Sequence, residues 1–356
     1  MVFTDNDCDM GQKADNYYVE TKLMSEKIVL SARQNGLITN IFRAGNLVFN
    51  SKTGIFQENI DENGFYNILK SYLNMGIICD DDMVDLSFVD SVSEAIISLY
   101  DRQNLENEIF HISNPDVVRL SDLLTSDTSF LYMDTLKHGE FIDYLYKNLD
   151  RRIYKSSIEN IMLHKGWLSE DGRVTDFIVL SDKTSLILKN TGFNWPVIHM
   201  EPMKKMIKEA LLDRILFFTQ VPLFSTLSEE ELLYFAGLAR EEYYSDESTL
   251  LWEGNINDNL YILMEGNLEL MKNSRAGWLG TIGVLGPKDF LGEGNLMKTV
   301  PSPVSAEVCM GDARIFTFRK NDILKLMKDY PQFGINFVQE LSERVRKLET
   351  LIVNIG

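Results

Sequence analysis

The chain has 356 residues, with 35 Lys and Arg against 53 Asp and Glu and a net charge of −18; the length predicts two modules, and so acidic a surface excludes nucleic acid as a partner held by counterion release. Hydrophobic residues make up 45% and charged residues 25%, which excludes a disordered chain and predicts that each half buries a core. No apolar run approaches the ~18 residues that span a bilayer, and the opening MVFTDNDCDMGQ is neither basic nor apolar, so a cytoplasmic protein with no membrane partner is expected.

In chain order, the first predicted element is a helix from about Asn16 to Gln34, with apolar Val19, Leu23, Ile28, Leu30 and Ala32 and with Gly36 at its end. A strand is expected at Ile38 to Arg43, entering the loop Ala44-Gly45-Asn46-Leu47, and a second at Glu108 to Ile112. Between them Ser91 and Glu94 have capping-box spacing ahead of an apolar-periodic helix. This stretch is α/β in style. From Leu120 to Leu212 the pattern is helical, broken by Gly166, Gly172, Gly192 and Pro196, with one strand at Phe177 to Leu180. The last of these helices, Glu201 to Leu212, runs into Arg214-Ile215-Leu216 without a Gly-, Ser- or Pro-rich linker, which predicts a stiff junction.

After Phe224 the pattern changes. Ser228 to Glu231 form a capping box that opens a short helix. Apolar runs at Leu250 to Trp252, Leu260 to Met264, Leu268 to Met271, Thr281 to Leu285 and Ile315 to Phe318 are separated by Gly254, Gly266, Gly277, Gly286 and Gly292, the spacing of a small barrel or roll. The cluster Gly280, Gly283 and Gly286 reads as turns between strands. Two helices follow, Asp322 to Lys328 and Phe333 to Ile352. In the second, Val338, Leu341, Val345, Leu348 and Ile352 recur three and four apart, which predicts either a homodimer seam or a cover for the roll.

Few residues carry recognisable chemistry. Cys8, Cys79 and Cys309 form no CxxC pair, and His111, His138, His164 and His199 have no HxxxH spacing, so neither a disulfide scaffold nor a metal site is expected. Asp80, Asp81, Asp82 and Asp85 lack the alternation, central Gly and terminal Glu of a calcium loop and read as a solvated turn. Tyr18 and Lys22 stand four apart on one helix face, where an ammonium could stabilise a phenolate and make Tyr18 a proton donor.

The run NYYVETKLMSEKIVL, then IFRAGNLVFN, NGFYNILKSYLNMG, LSFVDSVSEAI, FHISNP and SDKTSLILKNTGFNWP, resembles the extended short-chain dehydrogenases. Within them it is most similar to the thioester reductase domains that end nonribosomal peptide synthetases, over residues 1–213. The resemblance implies that Tyr18 and Lys22 are catalytic and that Lys22, Gly45, Asn46 and Leu47 lie near the nicotinamide of NADP. It also implies that the Gly-rich dinucleotide loop, the first strands and a catalytic Ser or Thr would precede Met1, leaving the strand at Ile38 to Arg43 with one neighbour missing.

Residues 214–356, through FFTQVPLFSTLSEEEL, LLWEGNINDNLYILMEGNLEL and GVLGPKDFLGEGNLM, resemble the cyclic-nucleotide-binding domains. The resemblance places the ligand at Gly292, Glu293, Gly294, Asn295, Val304 and Ser305, with Glu293 accepting the ribose hydroxyl. The family's phosphate-binding Arg is replaced by Val304, or by Ser302 in an alternative alignment, and Glu307 adds a repelling charge. A degenerate pocket follows. Relatives that bind DNA continue into a helix-turn-helix, whereas this sequence stops at Gly356, so a transcription factor is not expected.

The expected architecture is a partial Rossmann-type α/β reductase lobe with a helical substrate subdomain over 1–213, followed by a β-roll with flanking helices over 214–356. The expected function is a binding or regulatory protein that is non-catalytic by itself. The alternative is one part of an NAD(P)H-dependent reductase acting on a carrier-bound thioester, with a second chain supplying the dinucleotide half.

Overall fold

The amphipathic start of the chain becomes a helix over Tyr17–Gln34 in the computed structural model, which describes residues 2–8, 17–100, 102, 104–125, 130–165, 178–197, 200–273 and 279–355. None of its residues is buried. The following strand begins at Ile41, later than its β-branched residues suggest. Thr39 instead accepts from Arg33, and Asn40 is spent on the Leu105 carbonyl and the Glu108 amide. Ile41–Ala44 pairs in parallel with Ile109–Ile112 and with no other strand among the described residues, so one edge is unpaired as the sequence implied.

Further short parallel pairs join Leu47–Val48 to Ser87–Phe88, Ile77–Cys79 to Asp134–Leu136, and Val2–Phe3 to Ile178–Val179. The strand expected at Phe177 to Leu180 is the last of these, and Phe177 itself lies outside the described residues, as do Gly166, Gly172 and Gly277. One expectation here fails and another holds only in part. The helix after Phe88 starts at Val89, so Ser91 is a buried first-turn residue and not a cap; its neighbour Asp90 instead accepts from the Ser51 amide and hydroxyl at 2.9 and 2.7 Å. The aspartates at 80 to 85 are a solvated turn only in part: Asp80 and Asp81 form a turn with Asp81 exposed, while Asp85 ends the strand Met83–Asp85. Asp82 is buried and accepts the Tyr72 hydroxyl at 2.7 Å, which with burial pushes that phenol far above its ordinary pKa.

The second half is a six-stranded antiparallel roll. Its central strands are Asn259–Asn273 and Ser305–Arg319, flanked by Arg240–Tyr244, Thr249–Leu251, Leu279–Leu285 and Phe290–Leu291. Leu260 to Met264 and Leu268 to Met271 are therefore one strand. Gly266, at φ +88°, is a bulge within it and not a turn, and a Cβ there would stand 2.5 Å from the Asp312 carbonyl. Gly280 and Gly283 likewise lie inside a strand. Tyr261, Leu263, Leu268, Val308 and Ile315 fill the roll, while Leu260, Ile262 and Phe316, which alternate with them, belong to a second buried cluster. The Ser228 cap forms as expected: its hydroxyl accepts the Glu231 amide, and the Glu231 carboxylate accepts the Ser228 amide at 2.7 Å.

One buried cluster runs from Val48 through Ile215 and Phe218 to Phe316, Phe333 and Phe337 and joins the halves, beside a smaller core within the roll and another within the first half around Val92, Phe110 and Leu188. Arg214 stands inside it. Its guanidinium donates to the Leu73 and Asn74 carbonyls at 3.2 and 3.3 Å and to the Ala236 and Ala239 carbonyls at 3.3 and 3.0 Å. Those carbonyls end the helices Gly64–Met75 and Glu229–Leu238, so one buried cation caps a helix from each half at its negative pole. Glu241 lies 3.8 Å from Arg214 and 2.5 Å from Arg314, continuing the chain of charges into the roll.

Candidate functional site

Tyr18, Lys22 and Glu26 fall at four-residue intervals and share one helix face. The Lys22 ammonium sits 5.3 Å from the Tyr18 ring centroid, and Tyr18 is 69% exposed. Glu26 anchors this face by a 2.5 Å ion pair to Arg43 of the Ile41–Ala44 strand. Arg43 also meets His111 at 2.6 Å and the Asp7 carbonyl at 2.6 Å, and burial with the Arg43 charge holds the imidazole below its usual pKa. The catalytic pair named from sequence is thus oriented from below and open above.

The loop named for the nicotinamide is committed elsewhere. The Asn46 amide donates to Asp85 at 3.0 Å, its side-chain amide binds the other oxygen of the same carboxylate, and Leu47 is paired with Ser87. Gly45 is required by close approach, since a Cβ would lie 2.3 Å from Asp85 and 2.6 Å from Ser87. Three cavities of 550, 370 and 480 Å³ lie elsewhere. The 550 Å³ cavity is lined by Asn74, Tyr154, Glu241, Asp312 and Arg314, where the halves meet, and involves neither Tyr18 nor Glu293.

In the roll, Gly292 holds φ +96°, and a Cβ there would meet the Asn259 carbonyl at 2.3 Å. It opens a single turn of 3₁₀ helix, Glu293–Asn295, in which Asn295 is buried and donates to the Val300 carbonyl at 2.5 Å; Gly294 meets open space. Val304 is only partly buried, and the buried Ser305 hydroxyl accepts the Glu253 amide at 2.9 Å. Ser302, the other alignment's substitute, donates to the Val304 carbonyl at 2.7 Å. Glu307 faces Glu269 across the ladder. Lys272 comes near this segment, but its ammonium is spent on the Pro303 carbonyl at 2.9 Å.

Sequence reasoning missed a second cation that reaches this site. Arg344, on the long terminal helix Pro331–Ile355, donates to Glu293 Oε1 at 3.2 Å and to the Phe290 carbonyl at 2.8 Å, and its guanidinium lies 3.7 Å from the Phe290 ring. Glu293, predicted as a free ribose acceptor, is therefore already paired, while its buried Oε2 accepts nothing. The same helix is fixed by buried Phe333 and Phe337 and by Asn336, which donates to the Leu223 carbonyl at 3.1 Å. Leu341 packs on that core, Val338 and Val345 are exposed, and the side chains of Leu348 and Ile352 lie outside the described residues.

Sequence spacing also missed a third cluster. Cys79, Asp81 and His138 converge, although His138 is 59 residues from Cys79.

Residues 241–330 match the cyclic nucleotide-binding domain family. Residues 1–96 match the family described as male sterility protein. The chain thus joins a reductase-type NAD-binding segment to a cyclic nucleotide-binding domain. A component of the linear gramicidin synthase of Brevibacillus parabrevis is 25% identical over 194 residues, covering 53% of this chain and 4% of the synthase component. The cyclic AMP receptor protein of Thermus thermophilus is 25% identical over 128 residues, covering 36% of this chain and 59% of the receptor. The chain spans less than two thirds of either relative. Among solved structures, a cyclic nucleotide-binding domain from Methylobacillus flagellatus is 20% identical, covering 42% of this chain and 85% of that one, with a TM-score of 0.37. Among the described residues no helix is long and apolar enough to cross a membrane.

Proposed function

We propose that this chain acts as a regulatory or interaction protein and is non-catalytic by itself: a Rossmann-type reductase lobe with a helical subdomain, read as 1–213, built onto a degenerate cyclic nucleotide-binding domain, read as 214–356. The observation that carries this is the state of the first lobe. Tyr18 and Lys22 stand on a helix with no buried residue, beside a parallel strand that pairs on one edge alone among the described residues, and the backbone and side-chain amides of Asn46 both donate to Asp85. The sequence contains no Gly-rich strand-turn-helix to hold a pyrophosphate. The residues present therefore do not compose an NADP site. The test is consumption of NADPH in the presence of an acyl thioester: wild type and Tyr18→Phe are expected to show the same background rate. A rate above background that Tyr18→Phe abolishes contradicts the proposal.

A second reading is favoured by the shared face of Tyr18, Lys22 and Glu26, which the Glu26–Arg43 pair orients toward the end of the strand. In it, another chain supplies the dinucleotide half, NADP binds between the two, and a carrier-bound thioester is the substrate.

The exposed Val338 and Val345, seven apart, also support self-association through the terminal helix. Val345→Glu is expected to convert a micromolar dimer to monomer with little change in melting temperature, because the valine covers none of its own core. A wild type that sediments as a monomer at tens of micromolar refutes the dimer.

A further inference from the structure

The parallel pairing of Ile77–Cys79 with Asp134–Leu136 sets Cys79 beside Leu136, and the chain needs two more residues on each side to bring Asp81 and His138 together at the end of the pair. Cys79 Sγ lies 2.8 Å from Asp81 Oδ1 and 3.8 Å from His138 Nδ1, and His138 Nδ1 lies 3.4 Å from the same Asp81 oxygen. Cys79 is 1% exposed, whereas the Asp81 and His138 side chains are 60% and 45% exposed, so the sulfur forms the floor of a site open to solvent.

We propose that Cys79 Sγ, an Asp81 carboxylate oxygen and His138 Nδ1 bind a divalent zinc-class cation, with water completing a tetrahedral shell. Bond lengths of about 2.3 Å to sulfur and about 2.0 Å to nitrogen and oxygen, meeting at tetrahedral angles, separate S from N by about 3.5 Å and N from O by about 3.3 Å. The observed 3.8 and 3.4 Å are close to those spans. Only the S···O distance of 2.8 Å is shorter than a shared metal permits, because a thiol proton now bridges that pair. Binding replaces that proton with the cation: the S–H bond breaks, the S–metal bond forms, and the proton passes to the buffer.

A nucleophilic relay is the competing use of the same three residues. A relay needs the imidazole between thiol and carboxylate, each on its own ring nitrogen. Here thiol and carboxylate both face Nδ1, which is the arrangement of chelation.

The test is titration of the metal-stripped full chain with Co²⁺ alone, read by absorption, followed by displacement with Zn²⁺. One Co²⁺ per chain is expected, with a thiolate-to-cobalt charge-transfer band that Zn²⁺ removes and Cys79→Ser lacks. Should Cys79→Ser fail to fold, the exposed ligands decide: His138→Gln and Asp81→Asn are each expected to weaken binding at least about tenfold. Absence of the band in wild type, an equal band in Cys79→Ser, or unchanged affinity in both exposed-ligand variants overturns the site.

Discussion

Arg214→Met is expected to lower the free energy of unfolding by about 3–5 kcal/mol, the usual cost of breaking a buried charged network by removing one partner. Methionine fills much of the volume but donates nothing. The four carbonyls of Leu73, Asn74, Ala236 and Ala239 lose their donor at two helix ends, and Glu241 keeps only Arg314. Burial already lowers the Arg214 pKa from its ordinary value, with Glu241 opposing that shift, so the network carries a desolvation cost that the four carbonyls and Glu241 offset while the buried Nε finds no acceptor among the described residues. Lysine restores the charge without the planar fork and is expected to recover a minor part of the loss. Urea unfolding checks this. A loss below about 1 kcal/mol would mean that the two halves are held by apolar packing alone.

Val304→Arg is expected to make cyclic AMP binding about ten- to a hundredfold tighter, since one charge-assisted hydrogen bond contributes about 1.5–3 kcal/mol. The position can take the longer side chain because Val304 is only partly buried and its backbone is already shaped by Ser302. Two features remain in the variant: the Glu269–Glu307 juxtaposition, which opposes an anion, and the Arg344–Glu293 pair, which occupies Oε1 and leaves Oε2 as the oxygen that could accept a ribose hydroxyl. The expected wild-type result is no saturation below about 10 μM, an affinity weaker than about 7 kcal/mol. A folded Val304→Arg chain that binds no better than wild type by calorimetry would place the phosphate subsite elsewhere.

What the sequence reveals follows distance along the chain. The Ser228 cap depends on a residue three positions away, and Gly292 on its own φ, so both are readable. Arg240–Tyr244, with sequence REEYY, does not read as a strand because its first three residues are charged, the buried Glu241 among them, and the first half of Ser305–Arg319 is masked by Glu307, Gly311 and Asp312. Gly266 reads as a turn because a bulge uses the same positive φ. The residues that decide the chemistry are hidden by separation: Arg344 meets Glu293 across 51 positions, Arg214 reaches Leu73 across 141, and His138 reaches Cys79 across 59. No spacing rule covers pairings that only a completed fold creates.

The most direct measurement of whether the first lobe functions alone is titration of the purified chain with NADPH, followed by the fluorescence of the reduced cofactor. Asn46 is held by Asp85, Tyr18 and Lys22 stand in the open, and the sequence holds no Gly-rich strand-turn-helix. The account predicts a linear response without saturation through the low-micromolar range. Saturable binding there, lost in Lys22→Ala, would contradict it and show that this chain composes a dinucleotide site from its own residues.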